Sequence, residues 1–347
     1  MEKEKYMWRC IELAKNGLST VSSNPMVGAV IVDNKTIIGE GYHMIPGGPH
    51  AEVNAINSVK DKSRLTQSTL YVNLEPCSHF GKTAPCSQLI IDHKIPKVVI
   101  GCKDPFREVS GKGIKQLEEA GIEVIVGVLE KECETLNKRF IKNQTHQRPY
   151  IILKWAESAD GYMDRIRKDG TPAKLSTDLT NMVVHKKRSE ASAIMVGTQT
   201  ALLDNPILNV RNWSGTNPVR VLIDQTLRLP RPLLHLFDKQ IQTYVFTARE
   251  KKSADNLTFI TIDFEKNMLN QVVNEIYKRN LSTLLVEGGS SLHQSFIEAN
   301  LWDEIHIERS QDTLIRGIPA PKIKGNAVRT EERHFGVNYD IYYNYQS

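Results

Sequence analysis

The sequence predicts two unlike α/β domains in one chain. Three observations carry that prediction. Apolar, β-branched runs alternate with helically spaced segments through both halves, the rhythm of strand–helix units whose sheets are largely parallel. A polar, proline-ended stretch, KNQTHQRP (142–149), interrupts the alternation and is the best linker candidate. A length of 347 residues is also long for one compact core. The expected domains are therefore 1–146 and 147–347, and no internal repeat or low-complexity segment complicates the division.

Residues 4–17 have amphipathic helical spacing closed by Asn16-Gly17, a stop signal. MVGAVIVD (26–33) reads as a buried strand, with IIGEGYH (37–43) as its hairpin partner across a short Asn-Lys turn. A helix over 51–59, a strand over 69–74 and a helix near 85–93 follow. The strand 97–101, the helix 113–120, the strand 122–127 and a helix from about 130 complete the first series. YIILKWA (150–156) opens the second. Its further strands are expected at 193–197, 219–224, 243–247, 283–288 and 303–308, and its helices at 178–190, 266–279 and 290–299.

Apolar residues make up 40% and charged residues 24%, ordinary values for a globular protein. The net charge of +5 comes from 45 basic and 40 acidic residues that are scattered along the chain. A long nucleic acid would call for basic residues gathered with stacking aromatics, so that partner is not expected, whereas short phosphorylated substrates are. The N-terminus, MEKEKYMWRC, leads into no apolar run, and no stretch of about 18 apolar residues exists. A cytoplasmic protein without membrane contact is expected. Five cysteines, an odd number in a long chain, argue against a disulfide framework, and Cys10, Cys102 and Cys133 are expected to pack in the core.

The chemistry-bearing pattern lies in the first half. HAE (50–52) opens a helix, EPCSHFGKTAPC (75–86) forms a turn after a strand, and a second helix starts at Cys86. Zinc accepts imidazole nitrogen and thiolate sulfur, and a catalytic site keeps its fourth position for water. His50, Cys77 and Cys86 supply three such ligands. Glu52 sits two residues from a ligand, within reach of that water without ligating. With ten histidines, an isolated H-x-E occurs by chance about once in such a chain, so the joint order of the pieces carries the signal. Zinc deaminases share H-x-E…P-C-x-x-C, and here the second spacing is widened to C-x8-C. The alternatives are a structural zinc site, with His79 as fourth ligand, and core cysteines that bind no metal.

NPMVGAV (24–30), GYH (41–43), GGPHAE (47–52), EPCSHFGKTAPC (75–86) and DPFREVSGKG (104–113) together resemble the deaminase domain of the bifunctional riboflavin-biosynthesis deaminase–reductases. The resemblance implies a cytidine deaminase-like α/β/α fold, with His50, Cys77 and Cys86 as ligands of Zn2+ and Glu52 as proton shuttle. It implies a diaminopyrimidinone bearing a ribosylamino 5′-phosphate as substrate, with Asn24, His43, His79, Lys82 and Asp104 lining its pocket.

In the second half, KWAESADGYM (154–163), the run 176–211, PVRVLID (218–224) and TLLVEGGSSLHQSF (283–296) resemble the reductase domain of the same family. The resemblance implies a dihydrofolate reductase-like α/β fold and NADPH as reductant of the ribosyl group. Lys154, Ser158, Asp160, Asn205, Gly288, Gly289 and Ser290 fall at cofactor positions, and Arg188, Leu208, Arg211 and Glu287 at substrate positions. The family further implies a homodimer formed through the reductase domains, or a higher homo-oligomer. Two other functions stay open on the residues alone. One is a tRNA-type nucleic-acid deaminase with an appended domain, and the other a non-catalytic zinc- and nucleotide-binding module.

Overall fold

The computed structural model describes residues 2–18, 20–21, 23–78, 84–105, 110–167, 170–230, 233–325 and 327–344. The chain divides into two compact units, Met1–Gln147 and Arg148–Ser347.

In the first unit, strands β1 (Gly28–Asp33), β2 (Thr36–Tyr42), β3 (Thr69–Leu74), β4 (Lys97–Cys102) and β5 (Glu123–Val126) form one sheet in the order β2-β1-β3-β4-β5. β1 pairs antiparallel with both β2 and β3, while β3, β4 and β5 run parallel. The β1–β2 connection is two residues, Asn34 and Lys35, both at positive φ, the turn whose twist matches that of the strands. Helices α1 (Glu2–Lys15), α2 (Ala51–Ser58), α3 (Cys86–Asp92), α4 (Lys112–Glu119), α5 (Glu130–Leu136) and α6 (Lys138–His146) surround the sheet. One core layer gathers Ile31, Ile56, Val72, Ile100 and Leu117, and the other Met7, Ile11, Val30 and Val99 with the buried free thiols of Cys10, Cys102 and Cys133. A Cβ on Gly28 would sit 2.1 Å from the Cys10 carbonyl, so glycine there lets α1 lie directly on β1. The expected linker over 142–149 is not an open segment: α6 continues through His146 and ends where Gln147 turns left-handed.

In the second unit, the strands are β6 (Tyr150–Glu157), β7 (Tyr162–Asp164), β8 (Ala193–Gly197), β9 (Val219–Ile223), β10 (Thr243–Thr247), β11 (Leu257–Thr261), β12 (Thr283–Val286) and β13 (Glu304–Arg309). β14 (Ile318–Pro319), β15 (Val328–His334) and β16 (Val337–Tyr343) follow. The main sheet runs β11-β10-β9-β8-β12-β6-β13-β16-β15, parallel from β11 to β13 and antiparallel thereafter, with β7 and β14 paired apart. Helices α7 (Asp178–Ser189), α8 (Thr198–Asp204), α9 (Met268–Lys278) and α10 (Ser290–Glu298) flank it. Alternation along the parallel strands feeds two cores, one holding Leu153, Met195, Val221, Phe246 and Phe296, the other Ile152, Val196, Leu222, Val245 and Leu285. Sequence periodicity misses β7, α8, β11, β14 and the β15–β16 hairpin. β15 reads VRTEERH and is exposed along nearly its whole length, so it carries no apolar alternation to detect. Among the described residues, no helix is long and apolar enough to cross a membrane.

Candidate active sites

The sheet of the first unit presents α2, the turn after β3 and the start of α3 to one place. His50 is the N-cap residue of α2, with extended backbone, and Cys86 is the first residue of α3. The His50 Nδ1 atom lies 3.6 Å from Cys77 Sγ and 3.3 Å from Cys86 Sγ. A tetrahedral zinc with Zn–N near 2.0–2.1 Å and Zn–S near 2.3 Å sets an N···S edge of roughly 3.5 Å. The donor set therefore fits zinc, and it is the one such cluster among the described residues. The Cys86 backbone N–H donates to Cys77 Sγ at 3.3 Å, and both the N–H and the hydroxyl of Ser87 donate to the Cys77 carbonyl at 3.1 and 3.0 Å. The hydrogen bond with Cys86 pulls the Cys77 thiol down to about 4, burial opposes it, and His50 adds to the fall. The same hydrogen bond, together with burial, pushes the Cys86 thiol far up.

Glu52 is buried one turn-step into α2. Burial, and next the charge of Cys77, push its carboxyl up to about 7. It faces a cavity of about 340 Å³ lined also by Asn24, His43, His50, Glu75, Cys77 and Asp104. His43 Nδ1 is 3.2 Å from the Pro49 carbonyl, which only accepts, so Nδ1 carries the proton and Nε2 accepts from the Asn24 amide at 3.1 Å. Burial lowers the pKa of His43, in keeping with that neutral ring.

Two side-chain clamps hold the cavity walls. Asn73 and Asn137 bond the backbone around Met26: Asn73 accepts from Gly28 N–H and donates to the Met26 carbonyl, while Asn137 accepts from Met26 N–H and donates to the same carbonyl. Glu75 accepts four backbone N–H bonds, from Asp104 (3.3 Å) and Gly111 (3.0 Å) on Oε2 and from Gly113 (3.0 Å) and Ile114 (3.4 Å) on Oε1. That carboxylate ties the cysteine-bearing turn to Asp104 and to the positive end of α4.

In the second unit, Lys154, Trp155, Met163, Pro172, Glu287 and Gly288 are among the residues lining a cleft of about 570 Å³. It shares Lys174, Leu175 and Ser176 with a neighbouring cleft of about 1090 Å³. Arg188 forks onto Glu287 with bonds of 2.9 and 2.6 Å. Burial works to raise the Glu287 carboxyl, but the guanidinium outweighs it and holds the pKa below its ordinary value.

Comparison with known proteins decides the lineage. Residues 1–102 match the cytidine and deoxycytidylate deaminase zinc-binding region, and residues 149–308 match the RibD C-terminal domain. The riboflavin biosynthesis protein RibD of Actinobacillus pleuropneumoniae is 38% identical over 87% of this chain and 81% of its own length. That of Bacillus amyloliquefaciens is 36% identical over 92% and 87%. The chain belongs to the RibD family. A crystal structure from Thermotoga maritima, of a diaminohydroxyphosphoribosylaminopyrimidine deaminase/5-amino-6-(5-phosphoribosylamino)uracil reductase, superposes with a TM-score of 0.89 at 36% identity. It covers 99% of this chain and 98% of that one. The chain is thus a bifunctional deaminase–reductase of riboflavin biosynthesis, with a zinc-binding cytidine deaminase-like domain ahead of a dihydrofolate reductase-like domain. Zn2+ belongs with the first, and the reductase half implies a nicotinamide cofactor.

Within this RibD fold the expected site residues fall in unequal ways. Asn24, His43, His50, Glu52, Cys77 and Asp104 line one cavity, with Cys86 beside it. His79 and Lys82 lie outside the described residues. Sequence reasoning missed Glu75 and also Phe140 and Gln144, which project from α6 into the same cavity. Phe140 and Gln144 carry no motif signal beyond their one-turn spacing.

In the reductase half, only Lys154, Glu287 and Gly288 line the 570 Å³ cleft. Gly289 caps α10, and Ser290 donates to the Pro319 carbonyl at 2.7 Å. Ser158 donates to Asp160, which in turn accepts from Leu314 and Ile315 N–H, so the pair shapes a turn. Asn205 spends its amide on the Leu233 carbonyl and the His235 N–H. Leu208, expected at the substrate, is 2% exposed in the core, which leaves only its backbone to meet a ligand. Arg211 is exposed and bonds Asn209, and Arg188 is already engaged by Glu287.

Proposed function

We propose that residues 1–146 remove the 2-amino group of 2,5-diamino-6-ribosylamino-4(3H)-pyrimidinone 5′-phosphate by hydrolysis, and that residues 147–347 then reduce the ribosyl chain to ribityl with NADPH. The observation that carries the first step is the His50, Cys77 and Cys86 donor set at zinc spacing with Glu52 buried beside it. When bound, zinc supplies Lewis acidity that makes hydroxide available from water near neutral pH. Glu52 accepts the proton of the attacking water and passes it to the ring nitrogen as the amino-bearing carbon becomes tetrahedral. It then takes the proton of the newly added hydroxyl and delivers it to the amine, so that ammonia leaves as the ring carbonyl forms. A carboxyl that burial pushes toward its protonated form is suited to give a proton as well as take one. His43 orients the Asn24 side chain, whose remaining amide atoms can meet the pyrimidinone edge, and Asp104 also lines the cavity.

For the second step, Lys154 and Glu287 at the cleft and the Gly288-Gly289 turn into α10 support a nicotinamide dinucleotide beside the sugar. NADPH rather than NADH, a cytoplasmic location and a homodimer through the reductase units complete the proposal. The deciding assay follows ammonia release and NADPH oxidation separately in the full-length enzyme. Glu52→Gln is expected to abolish ammonia release with zinc content unchanged, while added deaminated intermediate still consumes NADPH. Ammonia release by that variant at the wild-type rate refutes the shuttle role.

A further inference from the structure

Strands β6, β13 and β16 lie side by side, with Lys154 opposite His306 and Glu308 opposite Tyr339. Their alternation points Lys154, Glu308 and Tyr339 to one sheet face, the face from which Lys187 of α7 meets His306. Glu308 is fully buried. Its Oε2 accepts from the Ser176 hydroxyl at 2.9 Å and lies 3.7 Å from Lys154 Nζ. The Tyr339 hydroxyl, across the strand pair, interacts with both Glu308 and Thr180. A buried carboxylate is costly unless a cation holds it.

Lys154 is that cation. The second carboxylate near it, Glu287, is already forked by Arg188. His306, Glu304 and Tyr339 stand on the same sheet face, and Lys187 and His293 also lie near the lysine; burial drives these last two toward their neutral forms. Lys154 itself is 10% exposed and opens on the 570 Å³ cleft, where Ser176 also stands.

We propose that Glu308 is a positioning residue of the reductase site, holding the Lys154 ammonium and the Ser176 hydroxyl in fixed register at the floor of the cleft. The inference rests on reading that cleft as the place of reduction. There the sugar carbon receives a hydride with its electron pair from the dihydronicotinamide, and the substrate takes up one proton from solvent. An ammonium fixed at the cleft floor stabilises the negative charge that arrives with the hydride, and Glu308 keeps it from swinging out to water.

The test is a double-mutant cycle in the full-length enzyme, assayed with the deaminated intermediate. Glu308→Gln is expected to lower kcat for NADPH oxidation about tenfold or more with KM for NADPH within about threefold, and to add almost nothing to Lys154→Met. A residue that merely stabilises the fold gives additive losses instead, which overturns the proposal. A second readout needs no nucleotide: acylation of Lys154, followed by mass spectrometry of its peptide, is expected to run several-fold faster in Glu308→Gln than in wild type. Equal rates overturn the proposal. Should Glu308→Gln fold poorly, Glu308→Asp keeps the charge on a shorter stem and is expected to recover part of both kcat and slow acylation. Recovery of neither counts against the positioning role. Wild-type enzyme that consumes no NADPH instead refutes the reductase reading, while the acylation rates still report on the Glu308–Lys154 coupling.

Discussion

Replacing Glu75 by glutamine changes one atom's worth of volume and should still cripple the deaminase half. The carboxylate receives two N–H bonds on each oxygen, one of 3.0 Å and one of 3.3–3.4 Å in each pair. Glutamine keeps one acceptor oxygen and turns an NH2 group toward the other two N–H donors. Hydrogen bonds to a charged group are worth ~1.5–3 kcal/mol each, less for the long one, so the loss comes to ~2–4 kcal/mol. For a unit of this size that lowers the unfolding midpoint by roughly 5–15 °C. The functional consequence is larger than the stability loss alone, because the released backbone carries Asp104 on the cavity wall. Ammonia release should fall at least about tenfold in kcat/KM, with zinc content near stoichiometric and NADPH oxidation of the deaminated intermediate unchanged. Thermal unfolding, metal analysis and the two activity assays on one full-length preparation check each part. A Glu75→Gln enzyme with the wild-type midpoint and wild-type ammonia release would show that the four bonds do not hold the cavity together.

Further predictions concern other places. A Cβ at position 113 would meet the Pro76 carbonyl at 2.1 Å, so Gly113→Ala is expected to displace the cysteine-bearing turn and cost ammonia release and zinc affinity together, as metal titration of the purified variant will register. Removing zinc with a chelator, or substituting Cys86→Ser, is expected to reduce ammonia release by about 100-fold or more while NADPH oxidation persists; parallel loss of both activities contradicts the division of labour. His293 is fully buried against Trp155, and burial pushes it down to about 3 against the opposing pull of the Gly288 backbone. Because the fold favours the neutral ring, its contribution is complete above the unfolded pKa of about 6.5 and is lost as pH falls toward 3. Between pH 7 and pH 5 the reductase unit should lose ~2 kcal/mol through this group, a loss that His293→Phe removes. Urea titrations of the two proteins at both pH values that give parallel changes would contradict the buried-histidine argument.

What the sequence determined by itself was the kind of protein and the kernel of its first site. The β-branched runs at 28–33, 69–74 and 97–102 leave little choice but a buried sheet, and HAE followed by two Pro-Cys steps encodes a metal centre because both ligand-bearing segments begin helices. Such signals are local, written within a turn or a strand. The polar β15 and the short β7 and α8 escaped because their apolar pattern is too brief or absent, and they are held by neighbours rather than by their own periodicity.

Only the tertiary structure decided which candidates share a site. Glu75 reads as an ordinary loop carboxylate until the fold brings the N–H groups of residues 104, 111, 113 and 114 to its two oxygens. Arg188 and Glu287, 99 positions apart, both read as substrate contacts, yet they satisfy one another. Leu208 sinks into the core and Asn205 bonds the 233–235 loop, while Glu308, which carries no motif, lies against Lys154. The reason is physical. A side chain's partners depend on strand order and register across long sequence separations, and one buried charge acquires its function from whichever opposite charge the sheet places beside it.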